Sequence, residues 1–291
     1  MNDTPSLSVF VPTCSKYLVL TQVLVPSIIS TLELSAPDLP FYISTDEPDN
    51  DGYTQALKNT RLLNESSSAI DWTNLTIKHL KSVPTEYVLL WLDDLVPTSA
   101  MNGSIGIMEI LNAMQLHDLD CLRLISFFNK TCLKRGYEHC IERLSAFAFA
   151  KKSPIYRLPL DSPYSFSLLP AIWRRSTLLR LLENNPGASP WQLEKHIQIP
   201  LNFSLKFAAL SESAFGIQNL VIKGYLWPKS ASKFYPLPVS VLNHFQFLSG
   251  HKLFLFTINL LKHNLYLLFY YIPFLIGKTI PISLCSDVRE R

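Results

Sequence analysis

Short apolar runs alternate with longer stretches of helical character through the first half of the chain. Leu7–Pro12, Phe41–Thr45 and residues 87–92 are rich in β-branched and aromatic side chains, so we predict a strand in each. Between and after these strands we predict helices over 16–34, 53–64, 72–81 and 104–116. A fourth strand is predicted over 121–125. This alternation predicts an α/β domain built on an open mixed sheet that is flanked by helices.

Residues 87–92 form the most apolar of these predicted strands, and two carboxylates, Asp93 and Asp94, follow them directly. The run shows no polar alternation, which is typical of a strand buried on both faces of a parallel sheet. Ligands of open α/β sheets bind beyond the carboxyl ends of the strands. We therefore expect Asp93 and Asp94 to lie where such a sheet binds its ligand.

The pattern changes near residue 146, after which shorter elements follow. We predict helices over 176–184 and 191–196, surrounded by strands over 146–150, 155–158 and 203–210. No Gly-, Pro- or Ser-rich linker interrupts this part of the chain. We interpret residues 1–237 as one catalytic-type domain whose second half is mixed α+β.

Residues 238–291 form an apolar and aromatic tail that we predict to be helical. Its two most apolar stretches, 253–261 and 265–277, are each shorter than the roughly 20 residues that a membrane-spanning helix needs. Two interpretations stay open. The tail lies in the membrane interface with its Tyr and Lys side chains at headgroup level, or it docks on the domain or on a second subunit.

Composition narrows the class of protein further. The chain has 291 residues, of which 48% are hydrophobic and 17% charged, and this excludes a disordered protein or a fibrous repeat. A formal net charge of +3 is too small to indicate nucleic-acid binding, so we expect no nucleic-acid partner. The five cysteines form no CxxC pair and the first residues resemble no secretory signal, so we expect reduced thiols and a cytoplasmic location.

The adjacent carboxylates Asp93 and Asp94 are the strongest candidate for chemistry. Such a pair at a strand end suits a hard divalent cation, Mn²⁺ or Mg²⁺, that is shared with the phosphates of a substrate. The alternative is that one aspartate caps the next turn while the other is solvated.

Later in the chain, Glu194 is a candidate general base, or a carboxylate that caps its helix or forms a salt bridge. Arg174 or Arg175 is a candidate for binding a diphosphate through two hydrogen bonds. Trp173 and Trp191 offer flat faces on which a sugar ring can stack, although a place in the core is equally consistent with the sequence.

Three segments in this order resemble a known family. They are the apolar run 87–92 that ends in Asp93 and Asp94, the Pro-Ala-Ile-Trp-Arg sequence at 170–174, and the Pro-Trp-Gln-Leu-Glu sequence at 190–194. In these features the chain resembles the bacterial sugar-nucleotide-dependent glycosyltransferases of the A-type fold that act in capsule and lipopolysaccharide assembly. The resemblance covers roughly residues 7–227. The chain departs from the family pattern at residues 95–97 and 192–193.

The resemblance implies a Rossmann-like mixed sheet of the nucleotide-diphospho-sugar transferase type. It also implies that Thr13 and Asp46, after the first two strands, hold the nucleotide, and that Trp72 and Asn74 lie near the donor. For Asp46, an Asx turn in its acidic loop is an alternative. Trp72 is equally consistent with a core position.

Together these observations predict a hexosyltransferase-type enzyme of surface polysaccharide synthesis, attached to the inner face of the membrane. A nucleotide-diphosphate sugar is the expected donor, and a glycan or a lipid-linked molecule is the expected acceptor. Glu194 and Asp94 are the predicted catalytic residues, with Asp94 acting through the cation that it shares with Asp93. The rival hypotheses are a catalytically inactive scaffold of transferase-like fold and a metal-dependent nucleotidyltransferase.

Overall fold

A computed structural model describes the chain over residues 6–32, 39–65, 71–101, 106–125, 143–144, 155–158, 160, 166–200, 203–210, 213–222, 224–234 and 236–247. The strands are β1 (Leu7–Pro12), β2 (Phe41–Thr45), β3 (Thr60–Asn64), β4 (Tyr87–Leu90), β5 (Leu95–Pro97), β6 (Cys121–Arg123), β7 (Arg143–Leu144), β8 (Ile155–Leu158), β9 (Ala171–Arg174), β10 (Phe207–Leu210), β11 (Ile217–Asn219), β12 (Val221–Ile222) and β13 (Tyr225–Leu226). The helices are α1 (Thr21–Leu32), α2 (Trp72–Ser82), α3 (Ile107–Leu116), α4 (Arg175–Glu183), α5 (Pro190–His196), α6 (Pro228–Ala231) and α7 (Val239–His244).

Nine strands form one mixed sheet in the order β3-β2-β1-β4-β9-β6-β10-β8-β7. Strands β3, β2, β1 and β4 run parallel, and β9 is inserted antiparallel between β4 and β6. The smaller pairs β5–β11 and β12–β13 lie outside this sheet. The predicted α/β class, with a mixed sheet flanked by helices, is confirmed.

Helices cover both faces of the sheet, and each face has its own apolar core. On one face, residues of β1 and β4 such as Val9 and Leu89 pack in one cluster with α1 and α3. On the other face, Phe10 and Leu90 pack in a second cluster with α2 and α4. Because β1 and β4 are covered on both sides, all their residues are buried. Strand β4 is apolar throughout, as the sequence pattern of residues 87–92 predicts, and the polar residue in β1, Ser8, is hydrogen-bonded to the Thr85 hydroxyl.

The segment 53–64, predicted as a helix, is different in the structure. The carboxylate of Asp49 accepts hydrogen bonds from the backbone N–H groups of Tyr53 and Thr54 and holds a turn. Asn59 then adopts a left-handed backbone conformation with φ of 52°. Residues Thr60–Asn64 pair in parallel with β2 along all five positions, so hydrogen bonding at the sheet edge decides the conformation here against the local helical signal.

In the second half, the predicted strand over 155–158 and the helices near 176–184 and 191–196 are present, while the strand predicted over 203–210 is limited to Phe207–Leu210. The predicted strand over 146–150 lies outside the described residues.

Most of the apolar tail, from residue 248, also lies outside the described residues. The described beginning of the tail packs on the domain, because Phe245 stacks on Tyr17 with the ring centroids 5.6 Å apart. Within the described ranges, no helix combines the length and apolarity needed to cross a membrane.

A polar network joins β6, β9 and β10 at the sheet edge where β4 begins. The buried carboxylate of Asp120 accepts hydrogen bonds from the Thr177 hydroxyl at 2.6 Å and from the Lys206 backbone N–H at 2.9 Å. The neighbouring Asp118 is exposed and binds Arg174 and the Lys206 ammonium group. These two cations hold the pKa of Asp118 at about 2. The buried member of the network therefore carries its stabilising effect, since exposed ion pairs contribute little.

We predict that Asp120→Asn lowers the free energy of unfolding by about 2–3 kcal/mol, because the amide cannot accept from both donors and leaves a buried donor unpaired. Asp118→Asn is the matched control and is expected to cost less than about 1 kcal/mol. Urea unfolding followed by circular dichroism measures both. Equal losses in the two variants would contradict this assignment.

Candidate functional site

Strands β1, β2, β4 and β6 end at one edge of the sheet, because β1, β2 and β4 are parallel and β6 runs antiparallel to β9, as β4 does. The residues that follow β1, β2 and β4 there are Thr13, Asp46 and the pair Asp93 and Asp94. The structure therefore brings four of the predicted site residues to a single edge.

The hydroxyl of Thr13 donates a hydrogen bond to Asp93 Oδ2 at 2.5 Å, which joins the end of β1 to the end of β4. The backbone N–H of Thr13 donates to the carbonyl of Ser44 at 2.7 Å and joins the same loop to β2. Ser44 is buried and is hydrogen-bonded to His79 Nδ1 at 2.8 Å. Burial lowers the pKa of His79, so the ring is neutral at pH 7. These contacts fix the position of the Asp93 carboxylate.

Asp93 and Asp94 occupy a tight turn between β4 and β5. The indole N–H of the buried Trp91 donates to the Leu95 carbonyl at 2.6 Å and closes this turn from the core side. The backbone N–H of Leu220 donates to the Asp94 carbonyl at 2.7 Å from the other side. The turn is therefore held at both ends, and the two carboxylates project from a fixed backbone.

Both acidic side chains are hard to ionise in the absence of a cation. Burial, followed by the negative charge of Asp94, raises the pKa of Asp93 from 3.8 to about 7. Burial also raises the pKa of Asp94, to about 6. A bound divalent cation would remove this penalty, since carboxylate oxygens are the ligands that Mg²⁺ and Mn²⁺ prefer.

No cluster of three or more His, Cys, Asp or Glu residues suited to a metal occurs among the residues that the structure describes. Two carboxylates whose remaining partners come from substrate phosphates are a typical donor set for Mg²⁺. The acidic pair therefore fits a cation that is shared with a phosphorylated ligand and does not resemble a closed structural metal site.

Asp46 fixes the loop that follows β1. Its Oδ1 accepts a hydrogen bond from the backbone N–H of Ser15 at 2.6 Å and one from the Thr45 hydroxyl at 3.3 Å. The structure thus places Asp46 beside the residues that follow Thr13. Its contact with Ser15 crosses between the two strand ends, so it is more than a local turn within its own loop.

The same loop carries two residues that the sequence reasoning did not select, Lys16 and Tyr17. Burial, followed by the negative charge of Asp93, raises the pKa of the Tyr17 hydroxyl. The ammonium group of Lys16 lies 5.7 Å from the centre of the Tyr17 ring. A Cβ atom added at Gly224, where φ is +80°, would lie 3.4 Å from Lys16 Nζ. Their only sequence signal is their position a few residues beyond a strand end.

Glu194, on α5, lies at this edge as well. Its Oε1 accepts hydrogen bonds from the backbone N–H of Leu168 at 2.8 Å and from the Ser167 hydroxyl at 3.2 Å. The segment containing these donors leads into β9, whose first residue pairs with Leu90 at the end of β4. Ser189 caps α5, so Glu194 is not the cap of this helix, which was one of the two structural roles that the sequence left open.

Trp72 and Asn74 lie in the first turn of α2. The side-chain amide of Asn74 donates to Asp71 Oδ2 at 2.6 Å, and its backbone N–H donates to Oδ1, so Asn74 takes part in the helix cap. Trp72 is partly buried against the core. The Thr73 hydroxyl donates to the Ala188 carbonyl and joins this turn to the segment before α5. Among the residues that the structure describes, no hydrogen bond or ion pair links Trp72 or Asn74 to the acidic pair.

Arg174 is not brought to this edge, which corrects the sequence-based assignment to a diphosphate. Strand β9 runs antiparallel to β4, so Arg174 pairs with Tyr87 at the start of β4 and the acidic pair follows the other end. Its guanidinium binds Asp118 at 2.7 Å. The side chain of Arg175 also turns elsewhere, with its Nε donating to the Thr85 carbonyl at 2.8 Å.

The two candidate tryptophans differ in exposure. Trp173 is completely buried and packs between Phe166 and Phe207, so it belongs to the core and is excluded as a sugar platform. Trp191 is 72% exposed at the start of α5.

No protein-family profile and no curated protein sequence matches the chain. Among solved structures, S. aureus TarS aligns with a TM-score of 0.46 and 16% identity over 72% of this chain and 36% of that one. TarS 1-349 in complex with UDP-GlcNAc aligns with a TM-score of 0.45 and 17% identity over 72% of this chain and 57% of that one. CMP:2-keto-3-deoxy-manno-octonic acid synthetase complexed with CTP aligns with a TM-score of 0.36 and 13% identity over 70% and 88% of the two chains. This chain thus spans less than two thirds of the TarS chains, and with every score below 0.5 the case for function rests on its own residues.

The raised pKa values predict how stability depends on pH in the metal-free protein. The folded state retains protons on Asp93 and Asp94 up to pKa values of about 7 and about 6, while the unfolded chain releases them near 3.8. The stability that these two protons contribute is therefore fully present below about pH 4 and is lost as the pH rises to about 7. We predict that in chelator at pH 8 the free energy of unfolding of Asp93→Asn, measured with urea, is about 2 kcal/mol higher than that of the wild type, and that this difference shrinks as the pH is lowered toward 4.

The control is Asp118→Asn, because the pKa of Asp118 already lies below this pH range. Removing its carboxylate therefore leaves the slope of the free energy of unfolding against pH unchanged. The opposite result is a wild-type free energy of unfolding that stays constant or rises between pH 5 and 8, with that of Asp93→Asn changing in the same way. It would show that the pair is not held protonated in the metal-free protein.

Proposed function

We propose that the chain is a glycosyltransferase that moves a sugar from a nucleoside-diphosphate sugar to a glycan or a lipid-linked acceptor. The observation that carries this proposal is the Asp93–Asp94 turn at the shared strand edge, with Asp93 held by Thr13 and surrounded by the loop that Asp46 fixes. This edge is where open α/β sheets bind ligands.

In this proposal Asp93 and Asp94 hold Mn²⁺ or Mg²⁺ together with phosphate oxygens of the donor. The raised pKa values of both side chains support it, because a cation converts an unfavourable pair of partly buried charges into a favourable binding site. When bound, the cation supplies neutralisation of the negative charge on the departing diphosphate.

The nucleotide binds along the loop that follows β1, beside Thr13 and Asp46. We assign to Lys16 the role that the sequence suggested for Arg174. Lys16 is exposed and lies next to Tyr17. Burial, followed by the negative charge of Asp93, raises the pKa of the Tyr17 hydroxyl. A mobile ammonium group in that position provides a positive charge for the donor diphosphate.

Glu194 accepts the proton of the acceptor hydroxyl. In a single displacement, the acceptor oxygen forms a bond to the anomeric carbon, the bond from that carbon to the diphosphate oxygen breaks, and the hydroxyl proton passes to Glu194. Its two hydrogen-bond donors, Leu168 N–H and the Ser167 hydroxyl, hold the carboxylate in one orientation, as a general base requires.

The proposed setting is surface polysaccharide synthesis at the inner face of the membrane, with a hexose-type sugar transferred. The support is the order of the three motifs that end in Asp94, Arg174 and Glu194, together with the apolar composition of residues 248–291.

We expect one of UDP, GDP and CMP to bind the purified protein in the presence of Mn²⁺, and that affinity to fall at least 10-fold in chelator. Asp94→Asn should cause a similar loss, because one of the two carboxylates that share the cation is removed. Isothermal titration calorimetry measures each combination. Asp118→Asn is the control for loss of an acidic residue away from the site, and its affinity is expected to equal that of the wild type.

If a folded sample binds none of the three nucleotides, the transferase assignment fails and a scaffold becomes the better description. Release of pyrophosphate from a nucleoside triphosphate, in place of a nucleoside diphosphate from a nucleotide sugar, would instead identify a nucleotidyltransferase.

A further inference from the structure

Trp191 is the most exposed large hydrophobic side chain among the residues that the structure describes, with 72% of its surface accessible. Tryptophan usually buries most of its ring, since its exposure leaves a large apolar area in water. The neighbouring Gln192 is exposed and polar, and Leu193 turns into the core. The indole is therefore a large apolar face open to solvent, with the polar side chain of Gln192 next to it in the chain.

The backbone that carries Trp191 is rigid. Pro190 occupies the first position of α5, and Ser189 caps the helix by accepting a hydrogen bond from the Gln192 backbone N–H. In return, the Oε1 atom of the Gln192 side chain accepts a hydrogen bond from the Ser189 backbone N–H at 2.7 Å. The turn is also tied to α2, because the Ala188 carbonyl accepts from the Thr73 hydroxyl. An exposed indole on a fixed turn loses little conformational entropy when a ligand covers it.

Trp191 lies close to the proposed base. Residues three apart on a helix share a face, with Cβ atoms roughly 5–6 Å apart, so Trp191 and Glu194 flank the same surface of α5. Glu194 is itself held at the sheet edge by Ser167 and Leu168. A sugar ring that covers the indole would therefore present its hydroxyl groups toward the Glu194 carboxylate.

We propose that Trp191 forms a carbohydrate-binding subsite, in which the apolar face of an acceptor sugar ring stacks on the indole. This inference rests on the proposed function, because it takes Glu194 as the base that the acceptor hydroxyl must reach. A flat apolar face bordered by polar groups matches a pyranose ring, which has C–H groups on its faces and hydroxyls around its rim. Trp191 is a binding residue here and takes no part in proton transfer.

The test uses the full chain with ¹⁵N-labelled tryptophan and titrates methyl glycosides of glucose, galactose, mannose and N-acetylglucosamine. The resonance of the Trp191 indole N–H, assigned by its absence from Trp191→Phe, is expected to shift with at least one glycoside. The indole resonances of the buried Trp91 and Trp173 are expected to stay in place. Trp191→Ala should weaken that glycoside at least 10-fold in calorimetry, and Trp191→Phe should retain part of the affinity.

Leu116→Ala is the matched control, because Leu116 is also highly exposed, at 62%, and lies at the end of α3. It should bind the glycoside as the wild type does. Nucleotide binding in Mn²⁺ is measured on the same samples and should be unaffected by Trp191→Ala. A nucleotide-binding protein whose Trp191 resonance responds to none of the glycosides would overturn the subsite alone.

Two other results have distinct meanings. A Trp191 response to a glycoside in a protein that binds no nucleotide would support the subsite and reject the transferase assignment. A protein that dissociates from a dimer to a monomer on Trp191→Ala, with no glycoside response, would instead assign the indole to a subunit interface and overturn the subsite.

Discussion

The parallel pairing of β1 with β4 is the constraint on which the rest of the site depends. Leu7 pairs with Tyr87 and Phe10 with Leu90, so both strands end at the same level and the residues after them meet. Both strands are buried on both faces, and a shift in their register would move apolar side chains out of the two cores. The hydrogen bond from Thr13 to Asp93 is possible only in this register. The hydrophobic core therefore determines where the acidic pair lies.

Placing two adjacent carboxylates at this point opposes stability. Burial raises the pKa of both, and in the metal-free state the charged pair is disfavoured at neutral pH. The surrounding contacts hold the turn in spite of this cost: Trp91 closes it from the core, Leu220 binds its backbone and Asp46 fixes the adjacent loop. A rigid, partly dehydrated acidic turn is suited to bind a cation strongly, because little reorganisation is needed when the ligand arrives.

The sequence predicted the strands that are apolar throughout, because complete burial leaves a strong composition signal. This signal is complete in β4, directly before the acidic pair. Strands β1 and β2 contain Ser or Thr and were predicted from their β-branched and aromatic residues. It failed at Thr60–Asn64, where pairing with β2 decides the conformation. It also failed for Arg174, because residue spacing contains no information on strand direction and β9 runs against β4. Trp173 and Trp191 could not be separated from sequence, since only tertiary packing buries one and exposes the other. Lys16 and Tyr17 gave no signal beyond following a strand.

The central claim is that Asp93 and Asp94 bind a divalent cation that is shared with a nucleoside diphosphate. Anomalous diffraction at the manganese edge, from crystals grown with Mn²⁺ and the nucleotide that binds best, tests it most directly. The account predicts an anomalous peak between the Asp93–Asp94 carboxylates and the nucleotide phosphates, and no peak in crystals of Asp94→Asn. A nucleotide bound at another edge of the sheet, or manganese bound at Asp118 and Asp120 with the Asp93–Asp94 turn empty, would contradict it.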